Sequence, residues 1–315
     1  MSPELLVTGA LNWDLNLFVK RLPKPGEEVV VERIERVPGG KGGNVSVAAS
    51  RILGPKRVAL LACVGKDEVG RKQISILKGE GVDTTAIQVL DRAESGQAYI
   101  TVDGKGTNVI ETHFGANAGL RQEHIMKQTV QSLLGACSAM VVIDPPRQVA
   151  GKILAEGRRL RRSVMWHPGV LTRFGIKEFE DEMEDLDYLV LNEVEASRFT
   201  KTRGLENSLA SISKCAPKAR TLVTLGSKGA AFYDRGKLSK VENIQLEKLG
   251  KRVVNTTGCG DAFVGAFAAY KTLGRTDREA FQYANVAGAL KAARSETRGS
   301  PSRKELEEAY EKYFA

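Results

Sequence analysis

Short apolar runs alternate with stretches of helical period along almost the whole chain. Runs at 4–9, 58–64, 98–102, 139–143, 163–167, 188–191, 222–225 and 230–233 predict strands. Helical patterns lie between many of them, at 44–53, 69–80, 122–134, 207–214 and 262–270. Strands this rich in Val, Leu and Ile, separated by helices, predict βαβ units and a mostly parallel sheet covered on both faces. Two stretches break the rhythm. Residues 12–38 carry Pro23, Pro25 and Gly26 and then Val29, Val31, Ile34 and Val37, which reads as a β-excursion. Residues 96–118 alternate about Asp103-Gly104-Lys105-Gly106, a hairpin signal. Both are expected to form a small sheet outside the main layer. With no internal repeat or linker-like tract, residues 1–315 read as one α/β domain with a β-appendage drawn from roughly 12–38 and 96–118.

Composition narrows the function classes. The chain has 315 residues, 42% hydrophobic and 27% charged, which excludes a disordered or fibrous chain and allows a large core. No uncharged apolar run approaches the roughly 20 residues that span a bilayer, and the first residues lack a secretory pattern, so a cytoplasmic protein is expected. Cys63, Cys137, Cys215 and Cys259 stand far apart without CxxC spacing, as reduced thiols would. The formal charge, 47 − 38 = +9, admits nucleic acid, a membrane surface or a small polyanionic substrate. No nucleic-acid-binding motif accompanies it, and the run Arg158-Arg159-Leu160-Arg161-Arg162 reads as a solvated helix face. His113, His124 and His167 lack metal-ligand spacing and are expected to be packing or surface residues.

Two glycine-rich constellations carry the candidate chemistry. In Gly39-Gly40-Lys41-Gly42-Gly43-Asn44, four of the first five residues are glycine, so the backbone can approach a ligand closely before a helix begins. The Walker A spacing is absent; a plain turn and a polyol-binding loop using Lys41 and Asn44 both remain open. In Asn255-Thr256-Thr257-Gly258-Cys259-Gly260-Asp261, Gly-x-Gly precedes an apolar helix and offers N–H groups at its positive end. Asp261 suits a helix cap or a general base for a hydroxyl, and taken alone the cap is the commoner use.

Taken together, the two loops resemble the signatures of the ribokinase-like (PfkB) carbohydrate kinases, Gly-Gly-Lys-Gly-x-Asn and Asp-Thr-x-Gly-Ala-Gly-Asp. The second is met with Asn255 for Asp and Cys259 for Ala. Further resemblances follow in family order: Gly9-Ala10-Leu11-Asn12-Trp13-Asp14, Gly115-Ala116-Asn117, Asn192-Glu193-Val194-Glu195 and Thr224-Leu225-Gly226-Ser227-Lys228-Gly229. The resemblance implies a three-layer α/β/α sandwich with a small β-sheet lid. It also implies phosphoryl transfer from ATP or ADP to a hydroxyl of a pentose, D-ribose first, with a nucleoside or ribose 1-phosphate as alternatives. Asp261 becomes the base, with Gly258, Cys259 and Gly260 as the anion hole. Asn12, Asp14, Gly40, Lys41, Gly42 and Asn44 hold the acceptor, joined by Asp144 in place of a longer Glu. Asn192, Thr224, Gly226, Ser227, Lys228, Gly229 and Asn285 line the nucleotide, and Glu195 holds Mg2+ through water. A monovalent cation is implied at Asn255 and Thr257, but loss of the carboxylate at 255 predicts weak or absent activation by potassium. A homodimer through the lid is implied; nucleic acid and membrane are not expected partners. The readings from other classes are a non-catalytic binding protein that kept the fold and a nucleic-acid binder. Retention of Asp261, Asn192 and Glu195 argues against the first.

Overall fold

The computed structural model describes residues 2–184 and 186–314. Its central sheet is ordered Lys237–Val241, Ala230–Asp234, Arg220–Thr224, Tyr188–Asn192, Ser163–His167, Ala139–Ile143, Leu5–Gly9, Val58–Leu61. Neighbours are parallel from Arg220–Thr224 to Val58–Leu61, and the two strands at the other edge run antiparallel. Continuous apolar runs are needed because each strand feeds two layers. Leu5, Val7, Val141, Tyr188 and Val190 pack under Lys41–Leu53, Cys259–Thr272 and Asp277–Ala292. Their neighbours Leu6, Val142, Trp166, Leu189 and Leu191 pack under Arg147–Arg159, Glu193–Thr200 and Leu205–Cys215. Period-2 alternation thus survives as a choice between two buried faces rather than between core and solvent.

The segments that broke the rhythm do pair with each other. Val31–Gly39, Asn12–Val19, Gly96–Val102 and Asn108–His113 form a separate four-stranded sheet in that order, with Asp103 accepting from the N–H groups of Lys105 and Thr107 at the hairpin turn. Asn12 and Asp14 share one face of it with Ala98; by alternation Leu17, Ile34, Tyr99 and Val109 occupy the other, where the last three are exposed.

Two expectations need correcting, and one strand was not foreseen. The run at 58–64 is not one strand: Val58–Leu61 belongs to the main sheet, while Cys63–Gly65 pairs with Gln88–Leu90. The helix expected at 122–134 is two, Gln122–Ile125 and Gln128–Ala136, because Lys127 is extended (ψ 139) and restarts it. The edge strand Lys237–Val241, mostly polar and partly exposed, gave no apolar run to read. The basic run does sit on and just after the helix Arg147–Arg159, where Arg159 pairs with Glu156 and Arg158 bonds the Asp181 carbonyl. Among the described residues no helix is long and apolar enough to cross a membrane, and all four cysteines are free.

The helix Cys259–Thr272 lies unusually close to Lys41–Leu53. A Cβ on Gly265 would fall 2.6 Å from the Ala48 Cβ and 2.7 Å from the Val45 carbonyl oxygen. Gly265→Val is therefore expected to force the two helices apart and destabilise the fold by about 1–3 kcal/mol. The urea unfolding midpoint measures this; an unchanged midpoint would mean the helices do not meet there.

Candidate active site

Because the parallel crossovers all return the same way, loops from Gly9, Ile143, His167, Asn192 and Thr224 gather at one edge of the sheet, the carboxyl ends of its strands. The helix Lys41–Leu53 starts inside the first glycine run and is driven into this edge: a Cβ on Gly42 would sit 2.6 Å from the Gly9 carbonyl carbon. That approach delivers Lys41 and Asn44 to the strand ends.

Lys41 Nζ donates to Asp144 Oδ2 at 2.7 Å, and Asp144 Oδ1 accepts from the Val170 N–H at 2.9 Å. Asp144 adopts a left-handed backbone (φ 56), uncommon for a non-glycine residue, and Gly169 leaves the space its carboxylate fills. Burial lowers the Lys41 pKa, but the facing Asp144 carboxylate, with Glu195 and Asp261 further off, more than offsets this and leaves it raised.

Asp261 is not the helix cap. Gly258 occupies that place, and Asp261, in the first turn, accepts from Asn44 Nδ2 at 2.7 Å. Asn44 Oδ1 in turn accepts from Arg298 Nε at 3.0 Å, and Arg298 Nη2 donates to the Gly39 carbonyl at 2.6 Å. The two partners settle which way the Asn44 amide points. Burial pushes the Asp261 carboxyl up, against the opposing pull of Asn44, Lys41 and His167. Burial likewise lifts Asp14 to about 7, with Arg298 pulling it down and Asp261 adding to the rise. Arg298 itself is lowered to about 10 by burial and stays charged at neutral pH.

Asn12 is held by Asn117, whose Nδ2 donates to Asn12 Oδ1 and to the Leu11 carbonyl while its Oδ1 accepts the Leu11 N–H, each at 2.9 Å. Here the motif Gly115-Ala116-Asn117 positions the first loop. In the second glycine run the Cys259 N–H donates to the Thr256 carbonyl at 3.2 Å, so in this state it faces the loop rather than outward. Burial pushes the Cys259 thiol up to about 11, an unreactive side chain at neutral pH.

On the other flank Asn192 and Glu195 form a reciprocal capping box for Glu193–Thr200, at 2.8 and 2.9 Å. Thr224 pairs in register with Asn192 at the adjacent strand end, and Gly226–Lys228 form an exposed 3-10 turn above it. A Cβ on Gly229 would strike the Val241 carbonyl at 2.0 Å, which pins that loop to the edge strand. Asn285, expected to line the nucleotide, is buried, and its amide donates to the Glu242 carbonyl at 2.8 Å, fastening the segment beside the turn.

Sequence reading missed two members. His167 was taken as packing or surface, but it ends its strand inside the cluster with Nε2 3.5 Å from Glu195 Oε2. His113 is exposed and His124 Nδ1 accepts the Arg121 N–H, so neither joins the site. Arg298 gave no signal within the polar stretch 294–300. Only Gly43 hints at it, since a Cβ there would fall 2.3 Å from Arg298 Nη2.

Residues 2–304 match the model of the pfkB family carbohydrate kinases. A ribokinase of Haemophilus influenzae is 28% identical over 317 residues, covering 99% of each chain. An ATP-dependent ribose-1-phosphate kinase of Halopiger xanaduensis is 25% identical over 300 residues, covering 95% of each. The structure of Arabidopsis thaliana ribokinase complexed with ribose and ATP superposes with a TM-score of 0.87 at 25% identity, covering 100% of both chains.

Two outcomes follow from the buried charges. Asp14 has a folded-state pKa of about 7 against an ordinary value of 3.8. Between those values the folded protein binds more protons than the unfolded chain, so this group's penalty grows as pH rises from about 4 to about 7 and is full above, on the order of a few kcal/mol. Asp14→Asn is therefore expected to stabilise the unliganded protein more at pH 8 than at pH 5; parallel stability–pH curves for variant and parent would contradict this. Gly43→Ala is expected to cost about 1–3 kcal/mol by colliding with Arg298. In the double variant Gly43→Ala/Arg298→Ala the two losses should fall short of their sum, whereas strict additivity in denaturant titrations would mean the residues do not touch.

Proposed function

The chain belongs to the pfkB family of carbohydrate kinases and is a phosphotransferase acting on hydroxyl groups, and on that premise we propose that it transfers the terminal phosphoryl of ATP to a hydroxyl of D-ribose. The observation that carries the reading is the Asn44–Asp261 hydrogen bond at the N-terminus of the helix Cys259–Thr272. It sets a buried carboxylate with a raised pKa, a stronger base than an ordinary one, beside N–H groups aimed at incoming negative charge. Asp261 takes the acceptor hydroxyl proton. The N–H groups of Gly258 and Gly260 meet the moving phosphoryl, joined by Cys259 once it releases Thr256. Asn12, Asp14, Lys41, Asn44 and Asp144 bind the remaining sugar hydroxyls, assisted by the backbone of Gly40 and Gly42. Asn192, Thr224 and residues 226–229 receive the nucleotide, while Asn285 keeps its segment in place. Such catalysis is mainly positioning and charge stabilisation.

Among the described residues no group of three acidic, His or Cys side chains could cage a metal. Mg2+ needs no such cage, because it keeps its waters and binds through phosphates and one or two carboxylates. Glu195, with His167 beside it, is the carboxylate in place for a water-mediated contact, and the ion would screen the charge of the transferred phosphoryl. The small sheet bearing Asn12 and Asp14 acts as a lid. Its far face, with Ile34, Tyr99 and Val109 exposed, supports a homodimer formed through the lid. The free cysteines accord with a cytoplasmic protein.

The neutral sugar is favoured over ribose 1-phosphate because Lys41 is already engaged with Asp144 and Arg298 is tied through Nε to Asn44 and through Nη2 to Gly39, which leaves only its Nη1 without a partner. Asp14, Asp144 and Asp261 would oppose a further anion. A panel of ribose, ribose 1-phosphate, cytidine, adenosine, fructose and fructose 6-phosphate, each with ATP and ADP, tests the reading. Ribose with ATP should give the highest kcat/KM, and Asp261→Asn should lower kcat by about 10²–10⁴. Preference for a nucleoside or a sugar phosphate overturns the acceptor, and an Asp261→Asn enzyme at full rate overturns the base.

A further inference from the structure

Lys291 is 0% exposed, yet it takes no part in the contacts just described. It stands in the last turn of Asp277–Ala292, and its ammonium reaches beneath the loop that leads into the second glycine run. There Nζ donates to the Asn255 carbonyl at 2.9 Å and lies 3.4 Å from the Arg294 carbonyl. A fully buried ammonium is costly unless hydrogen-bonded to groups that want a cation. Burial lowers its pKa, while Cys259, Glu296 and Asp261 act to raise it.

The resemblance implies a monovalent cation at Asn255 and Thr257, and the oxygens in this neighbourhood are already paired. The Ala292 carbonyl accepts the N–H groups of Val254 and Asn255 at 2.7 and 3.1 Å. The Ser295 carbonyl accepts Asn255 Nδ2 at 2.7 Å, and Asn255 Oδ1 accepts the Thr257 N–H at 2.9 Å. The amide at 255 therefore presents a donor, not a carboxylate, to the facing strip of backbone, and the carbonyls of Asn255 and Arg294 point at a charge the chain supplies itself. This donor set does not fit an added potassium or sodium ion.

We propose that the Lys291 ammonium is a built-in cation which clamps residues 254–257 against 292–295 and so holds the N-terminus of Cys259–Thr272 in shape for the transferred phosphoryl, in place of an exchangeable ion. The connection is short. Gly258 caps that helix one residue after the clamped stretch 254–257, and a Cβ on it would fall 2.4 Å from the carbonyl of Thr297, two residues beyond 292–295. Lys291 is a positioning residue here, acting through the loop; the catalytic arm of its test rests on the kinase reading above, and the melting arm does not.

The test compares the parent with Lys291→Met, close in length but uncharged, Lys291→Arg, and Lys291→Ala, which leaves a vacancy. Thermal melting and phosphoryl-transfer kinetics are followed while potassium or ammonium replaces tetramethylammonium at constant ionic strength. The parent should be flat in both readouts. Lys291→Met should fold and lose about ten- to a hundredfold in kcat with little change in acceptor KM; Lys291→Arg should lose less. Lys291→Ala should recover part of its melting temperature and rate as ammonium or potassium is added. A parent activated several-fold by potassium, a Lys291→Met enzyme with full kcat, or a Lys291→Ala protein indifferent to both ions in both readouts overturns the proposal. Were Lys291→Met to lose its fold, the ion responses of the parent and of Lys291→Ala would still decide it. Should no acceptor be phosphorylated by the parent, the kinase reading fails, and the melting curves alone decide the clamp.

Discussion

The side-chain amide of Asn44 joins three distant parts of the chain. It donates to Asp261 and accepts from Arg298, residues 217 and 254 positions away in sequence. An amide has a donor end and an acceptor end, and here each meets its opposite: an anion on one side and a cation on the other. Reversing it would set its NH2 group against a guanidinium and its oxygen against a carboxylate. The glycines at 42 and 43 exist to allow this arrangement, one letting the helix reach the first strand and the other leaving room for Arg298. The packing of Gly265 against Ala48 then fixes the distance between the helices that carry Asn44 and Asp261.

This explains which parts were legible in the sequence. The main sheet could be read because each strand must be apolar on both faces, a signal that needs no partner to be visible. The two glycine loops could be read because close backbone approach restricts residue type at fixed spacing. Arg298 could not. A buried arginine looks like any surface arginine until its partners are known, and here they are a backbone carbonyl and an amide more than 250 residues away. His167 was hidden for a related reason: its role follows from ending a parallel strand at the functional edge, which only the topology reveals. The split of the run at 58–64 and the break at Lys127 are tertiary choices between equally apolar alternatives, where local pattern carries little information.

Asp261 shows the limit of a local rule. Asp near the start of a helix is most often a cap, and the sequence alone favours that use. Gly258 takes the cap position with a left-handed backbone that suits glycine, which frees the Asp261 side chain to turn away from its own helix. Its carboxylate then finds the Asn44 amide, not a backbone N–H. The same glycine that shapes this turn therefore also frees the carboxylate proposed as base.

The carboxylates at this edge are compensated unequally, and this bears on the acceptor proposed for the site. Asp144 is matched by Lys41; Asp261 is bonded to Asn44 and feels Lys41 and His167; Asp14 feels Arg298 without a direct ion pair. Asp14 is the least compensated of the three, and its pKa of about 7 records that. Such a group destabilises the empty protein at neutral pH and gains most from a ligand that brings hydroxyl donors, because each donated hydrogen bond favours its charged form. A sugar with several hydroxyls supplies those donors without adding charge. An anionic acceptor that drew Lys41 away from Asp144 would leave that half-buried carboxylate with the Val170 N–H alone to hold it. The electrostatics of the empty site are thus in keeping with the neutral polyol proposed as acceptor.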